Sequence, residues 1–208
     1  MMAWKRLGIV SLAILTILAG SAVAQQSNQI AGIFGRSFIS NQSVSGTGLT
    51  NPDVHFGDGL SYEANLSHSF FNFGIAGLSV ELPFLYNPST NVQFGLNTVP
   101  KDFRAYFLTP AARVNFFPST AFSPWVSIGA GFASFSPNNT LEFGGVNAAK
   151  NTTSSVFEVG GGLDVRVSDH FKVRGEVRDF NTDEPPINVN LGNRYNHLFM
   201  GVGVVFGF

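Results

Sequence analysis

The stretch that settles the architecture is the C-terminal run H197-L-F-M-G-V-G-V-V-F-G-F208, which carries no charged side chain. Its apolar residues fall on alternate positions, with Leu198, Met200, Val202, Val204, Phe206 and Phe208 in one phase and His197, Phe199, Gly201, Gly203 and Gly207 in the other. Period-two alternation is the mark of a β-strand with two unlike faces. Chain ends are normally polar and loosely held unless something ties them down. A strand this apolar, ending on Phe208, needs an apolar environment for one whole face.

The same alternation recurs upstream. In L60-S-Y-E-A-N-L-S67 the apolar phase is Leu60, Tyr62, Ala64 and Leu66 against Ser61, Glu63, Asn65 and Ser67. Leu78, Val80, Leu82 and Phe84 alternate with Ser79, Glu81 and Pro83. Further sets are Leu108, Ala112, Val114 and Phe116; Val126, Ile128, Ala130 and Phe132; Phe157, Val159, Leu163, Val165 and Val167; and Val173 and Val177. A first strand near residues 29–40, of ambiguous phase, brings the count to about eight. The connections alternate too: long, polar segments begin near residues 41, 87, 136 and 181, and short ones lie near residues 67–74, 117–122 and 168–171. An even set of antiparallel strands with short turns at one end and long loops at the other is the plan of an outer-membrane barrel.

The N-terminus is read as a signal peptide, residues 1–24, with residues 25–208 as the barrel domain. Lys5 and Arg6 precede an uncharged apolar run over residues 9–20, and Ala22 and Ala24 give a small-residue cleavage site. The run is too short for a spanning helix, and no other stretch reaches about 18 apolar residues. The chain has no cysteine, which excludes a lipid-anchored cysteine, a disulfide framework and a thiolate metal site. The formal charge of −1 leaves no basic run for nucleic acid. Charged residues are only 12% of the chain while Gly numbers 23 and Phe 22, so something other than water is expected to face much of the surface.

Phe70, Phe71, Phe73, Phe116, Phe117, Phe122, Phe171, Phe206 and Phe208 fall at short turns or the C-terminus and would gather in one interfacial ring. Tyr62, Phe84, Tyr86, Phe103, Phe157 and Phe180 are taken as a second ring at the other end. The alternative for such aromatics is the plug of a soluble β-sandwich.

With these features assembled, the chain resembles the small bacterial outer-membrane β-barrels, such as the transmembrane domain of outer membrane protein A and outer membrane protein X. The resemblance rests on Val202, Val204, Phe206 and Phe208, an alternating apolar strand closing on an aromatic residue, and covers residues 25–208. It implies an eight-stranded antiparallel up-and-down barrel, all-β, in the outer membrane with both termini in the periplasm. It implies that the last strand is an assembly signal for the barrel assembly machinery and that lipid is the surrounding partner. Two departures stand out. Pro110 interrupts the fourth strand, where a bulge is expected, and no peptidoglycan-binding domain follows, so cell-wall tethering is not expected.

Turning the polar phase inward places Arg36, Glu63, Glu81, Arg113, Glu158, Asp164, Arg166, Arg174, Glu176 and Arg178 inside, five of each sign. Confined charges must pair, so a self-neutralising network is expected, serving as packing or as a gate. The inward glycines Gly129, Gly131, Gly160, Gly162, Gly201 and Gly203 either leave room for long neighbours or leave a narrow lumen. The reading is a structural or surface-interaction protein, with a small-solute channel and a lipid-modifying enzyme as alternatives. For the enzyme, Ser67, His68 and Ser69 give the one close Ser/His pairing, yet adjacent strand residues face opposite ways, and no catalytic residue, metal or cofactor is assigned. The long loops carry Asp53, Asp58, Asp102, Glu142, Asp183 and Glu184 against Lys101, Lys150 and Arg194, and hold any surface ligand.

Overall fold

The computed structural model describes residues 27–43, 53–94, 97–183 and 194–208; the signal-peptide reading of residues 1–24 and the loop residue Glu184 lie outside them. Eleven strands follow in chain order: β1 (Asn28–Ile39), β2 (Gln42–Ser43), β3 (Asp53–Phe56), β4 (Gly59–Asn72), β5 (Ala76–Gln93), β6 (Asp102–Leu108), β7 (Ala111–Phe116), β8 (Phe122–Pro137), β9 (Thr152–Arg166), β10 (Phe171–Thr182) and β11 (Tyr195–Gly207). All pairings are antiparallel. β1 pairs with β4 on one side and β11 on the other, so the sheet closes on itself. The ring runs β1, β4, β5, then β6 and β7 end to end, then β8, β9, β10 and β11, which makes eight staves.

Pro110 divides the fourth stave into β6 and β7, but the expected bulge does not form. Glu81 pairs with Ala111 below the break and Phe84 with Leu108 above it, the same register an unbroken strand would keep. Thr109 N–H still donates to Pro83 O at 3.3 Å, and Pro110 O accepts from Ala130 N–H at 3.2 Å. Only the donor that proline lacks is lost, and no extra residue is inserted. Register shifts occur instead between Ser69 and Phe71 on β4 and between Asn87 and Thr90 on β5.

Two segments read as loop are partly strand. β5 runs through Asn87–Gln93, and the β2–β3 hairpin joins it where His55 pairs with Gln93 and Phe56 with Val92. Apolar alternation again explains it: Val54, Phe56, Val92 and Phe94 are buried at this long-loop end. The short turns are tight. Between β4 and β5, Gly74 takes a positive φ and its N–H donates to Asn72 Oδ1 at 2.9 Å. Both ends of the ring meet at this end, where Phe208 N–H donates to Asn28 O at 2.9 Å.

The outward face is apolar along the strands: Ile30, Phe34, Leu66, Val80, Ile128, Val159, Val177 and Val202 are all exposed. The nine phenylalanines of the short-turn end are exposed as well. Of the six aromatics read as the opposite ring, Tyr62, Phe84 and Phe157 are exposed, and Tyr86 stacks on Tyr106 at 4.7 Å. Phe103 and Phe180 are corrections: both are fully buried inside the barrel.

Candidate functional site

The interior is built in layers, and its chemistry changes along the axis. Midway, Arg178 (β10) gathers four carboxylates from three other strands and its own: Nη1 lies 2.8 Å from Glu81 Oε1 and 2.8 Å from Glu158 Oε1, and Nε lies 3.1 Å from Glu176 Oε1 and 3.3 Å from Glu63 Oε2. Arg113 (β7) donates to Glu81 Oε2 at 3.2 Å, to Asn115 Oδ1 at 2.9 Å and to Gln29 Oε1 at 3.4 Å. Arg174 (β10) holds Asp164 in a bidentate pair at 2.7 and 2.9 Å. All eight of these charged groups are buried.

At their centre lies Trp125 (β8), 1% exposed. The guanidinium carbons of Arg113, Arg174 and Arg178 sit 5.3, 5.1 and 5.0 Å from its ring centroid. Guanidinium is planar and weakly hydrated, so it tolerates an aromatic neighbour in place of water better than an ammonium does. One indole therefore spaces three like charges while carboxylates neutralise them from the strands around. Sequence reading passed over Trp125, although it shares the inward phase of Ser127 and Gly129.

Two of the ten residues assigned to this network are not in it. Arg36 projects outward beside Phe34 and Phe38 and forms an exposed ion pair with Asp58. The phase of β1 was ambiguous, and Ala31, Ile33 and Ser37 take the inward positions. Arg166 has the inward phase but lies exposed at the short-turn rim, its Nη2 donating to Pro118 O at 2.9 Å. The buried set is therefore Glu63, Glu81, Arg113, Glu158, Asp164, Arg174, Glu176 and Arg178, five carboxylates against three guanidiniums rather than an equal balance.

Toward the long loops the interior is apolar. Phe107 packs on Phe180 at 5.0 Å, on His197 at 5.2 Å and on Phe135 at 5.9 Å; Phe135 in turn meets Phe103, and Phe103 meets Phe56. Leu85, Ala105, Ala133, Val156 and Phe199 complete this plug, all of them buried. The inward glycines beneath and beside it are filled over by neighbours. A Cβ on Gly162 would come within 2.7 Å of the Trp125 ring, on Gly160 within 2.5 Å of Ser127 Oγ, on Gly129 within 2.8 Å of Glu158 Oε2, and on Gly201 within 2.6 Å of the Phe199 ring. Gly131 and Gly203 instead press against the neighbouring backbone, at Leu108 O and Gly32 O.

At the long-loop end, two segments are tied together. Phe94 N–H donates to Glu142 Oε2 at 3.0 Å, Phe143 N–H to Asn97 Oδ1 at 2.9 Å and Asn97 Nδ2 to Gly144 O at 2.8 Å. Gly144 and Gly145, both with positive φ, turn the tip and leave Phe143 and Val146 projecting, 65% and 87% exposed. At the other end, His68 bonds Asn28 Oδ1 through Nδ1 at 2.8 Å rather than Ser67 or Ser69. Among the described residues no group of three or more acidic or histidine side chains is placed to hold a metal.

Comparison with known proteins agrees with this architecture. Neisserial surface protein A is 12% identical, with 88% of this chain and 97% of that one aligned at a TM-score of 0.55. The outer membrane protein OprG of Pseudomonas aeruginosa is 13% identical over 89% and 99%, with a TM-score of 0.51. The outer membrane enzyme PagL aligns over 84% of this chain and 97% of that one at 12% identity and a TM-score of 0.45. No curated protein matches in sequence. The sequence matches the outer membrane protein beta-barrel domain over residues 10–208, and the chain belongs to that family of outer-membrane β-barrels.

Proposed function

We propose that this chain is a non-conducting outer-membrane barrel with a structural or surface-interaction role, whose strands face lipid and whose long loops present the interacting end. The observation that carries this reading is the occupied interior: side chains fill the space over Gly129, Gly160, Gly162 and Gly201, and an aromatic plug lies above the Trp125 layer. A solute would have to displace both an ion-pair network and a packed apolar core. The hydrogen-bonded, apolar loop tip at Phe143 and Val146 supports the outer end as the contact surface.

In this reading the short-turn end, with both termini, lies in the periplasm. The strand ending in Val202, Val204, Phe206 and Phe208 serves the barrel assembly machinery. Removing Phe208 is then expected to deplete folded barrel from outer membranes while refolding into detergent proceeds as in the parent chain. Equal loss in both settings would make Phe208 a stability residue and not a signal.

The main test is single-channel conductance of the refolded barrel in a planar bilayer, with folding verified by a heat-shifted gel band. A silent bilayer is expected for the parent chain and for Glu176→Gln. Reproducible discrete steps, altered by that substitution, would replace this reading with that of a gated small-solute channel.

A further inference from the structure

Below the Trp125 layer, at the short-turn end, the barrel interior opens into a cavity of about 450 Å³. That is within the range of small-molecule sites, and nothing in the reading above uses it. Gln29, Ser69, Asn115, Ser123, Arg166 and Lys172 contribute to its lining.

The floor is built to donate hydrogen bonds. Arg113, lying beneath, directs Nη2–H to Gln29 Oε1 and Nε–H to Asn115 Oδ1. Guanidinium is donor only, so it fixes both carboxamides with oxygen toward itself and leaves their NH2 groups as donors. Those NH2 groups make no hydrogen bond among the described residues.

The charge has the matching sign. Lys172 lines the cavity, and its ammonium makes no hydrogen bond or ion pair among the described residues. It lies in the field of Arg113, Arg166 and Arg174 as well as of Asp164. Asp164 is already held by both oxygens in the pair with Arg174, so it is poorly placed to take Lys172 as well. Asp169, on the exposed turn, is the one acidic residue among those lining the cavity. Two cations, Lys172 and Arg166, against the single carboxylate of Asp169 in the lining, over a floor of fixed amide donors, describe a receptor for negative charge.

We propose that this cavity is a binding site for a small hydrophilic oxyanion, a carboxylate or phosphate, entering from the short-turn end, with Lys172 as its principal charge partner and the NH2 groups of Gln29 and Asn115 as its hydrogen-bond donors. The proposal is independent of whether the barrel conducts, because the site lies on the near side of the Trp125 layer.

Isothermal titration calorimetry on the refolded full barrel in non-ionic detergent tests it, with inorganic phosphate in one arm and acetate in the other at matched ionic strength. Saturable binding is expected in at least one arm, and the better arm assigns the anion class. Affinity is expected to fall tenfold or more in Lys172→Gln and to be unchanged in Lys150→Gln, which removes a loop charge at the opposite end. Ser119→Asp, on the exposed rim beside the cavity, is expected to weaken binding while leaving the interior intact, so the question stays open to test even if Lys172→Gln does not fold. Absence of saturable heat in both arms, or equal affinity in the parent and both cavity variants, overturns the proposal.

Discussion

Replacing Arg178 by methionine is expected to destabilise the barrel by about 3–5 kcal/mol or to prevent refolding altogether. Methionine fills much the same volume, so the loss reports charge and not a cavity. Four buried carboxylates lie within 3.3 Å of the Arg178 guanidinium, and only Glu81 also reaches Arg113. Removing one partner of a buried pair leaves uncompensated charge, and the penalty is several times that of losing an exposed pair. The urea midpoint of the folded, heat-shiftable band in vesicles measures the change. Adding Glu158→Gln to Arg178→Met is expected to recover part of the loss, because it removes one of the stranded charges. Arg36→Met, which breaks the exposed pair with Asp58, serves as reference and should cost no more than about 1 kcal/mol. If Arg178→Met behaves like Arg36→Met, the network does not organise the interior.

Gly131→Val is the second large effect. A Cβ at position 131 would sit 1.9 Å from Leu108 O and 2.8 Å from Thr109 Cα, both main-chain atoms of the strand next to β8. A flexible side chain could rotate away, but a strand backbone can yield only by giving up its ladder. The fourth stave has already lost one donor at Pro110, so its remaining bonds across to β8 matter more than usual. We expect no folded band, or a loss above about 4 kcal/mol, the range in which a named mechanism must be at work. Gly175→Ala is the control: nothing lies within 4 Å of its Cβ position, and stability should change by less than about 0.5 kcal/mol. A folded Gly131→Val barrel of parental stability would mean that β6 and β8 are further apart than described.

The ring of staves was legible because alternation is a local signal that survives wherever the two faces of a strand differ. Phe180 shows where this reasoning gave way. It stands two residues after Arg178, so period two places it inside, yet its apolar character led to an outward assignment. The interior turns from charged to apolar partway along the axis, and residue type stops marking the face at that point. Phe103 was harder, since β6 is short and its neighbours Ala105 and Tyr106 are both compatible with a lipid-facing position. Arg36 failed in the opposite sense: charge was taken to mean inward, but on a strand near the long loops an outward arginine can reach Asp58. The continuation of β5 past Asn87 was hidden by Pro88, Ser89 and Thr90, a composition that reads as a turn. Lys172 carried a usable signal, two residues before Arg174 and in its phase, but a lysine near a turn is ordinary.

The pairing of β1 with β11 also governs the order of folding. Gln29 meets Gly207 and Ile39 meets His197, so the joint that completes the ring joins segments separated by most of the sequence. Contacts of such long range are slow to form, because the chain must surrender its entropy before they repay it. Until they form, β1 and β11 each present an open edge of 12 or 13 residues, free to pair with another chain and unable to remain in hydrocarbon with its main-chain groups unmet. The other seven hairpin-like joins can be made one after another between neighbours, but this one cannot begin until β1 and β11 both exist, which makes β11 the strand that decides between a closed barrel and an aggregate.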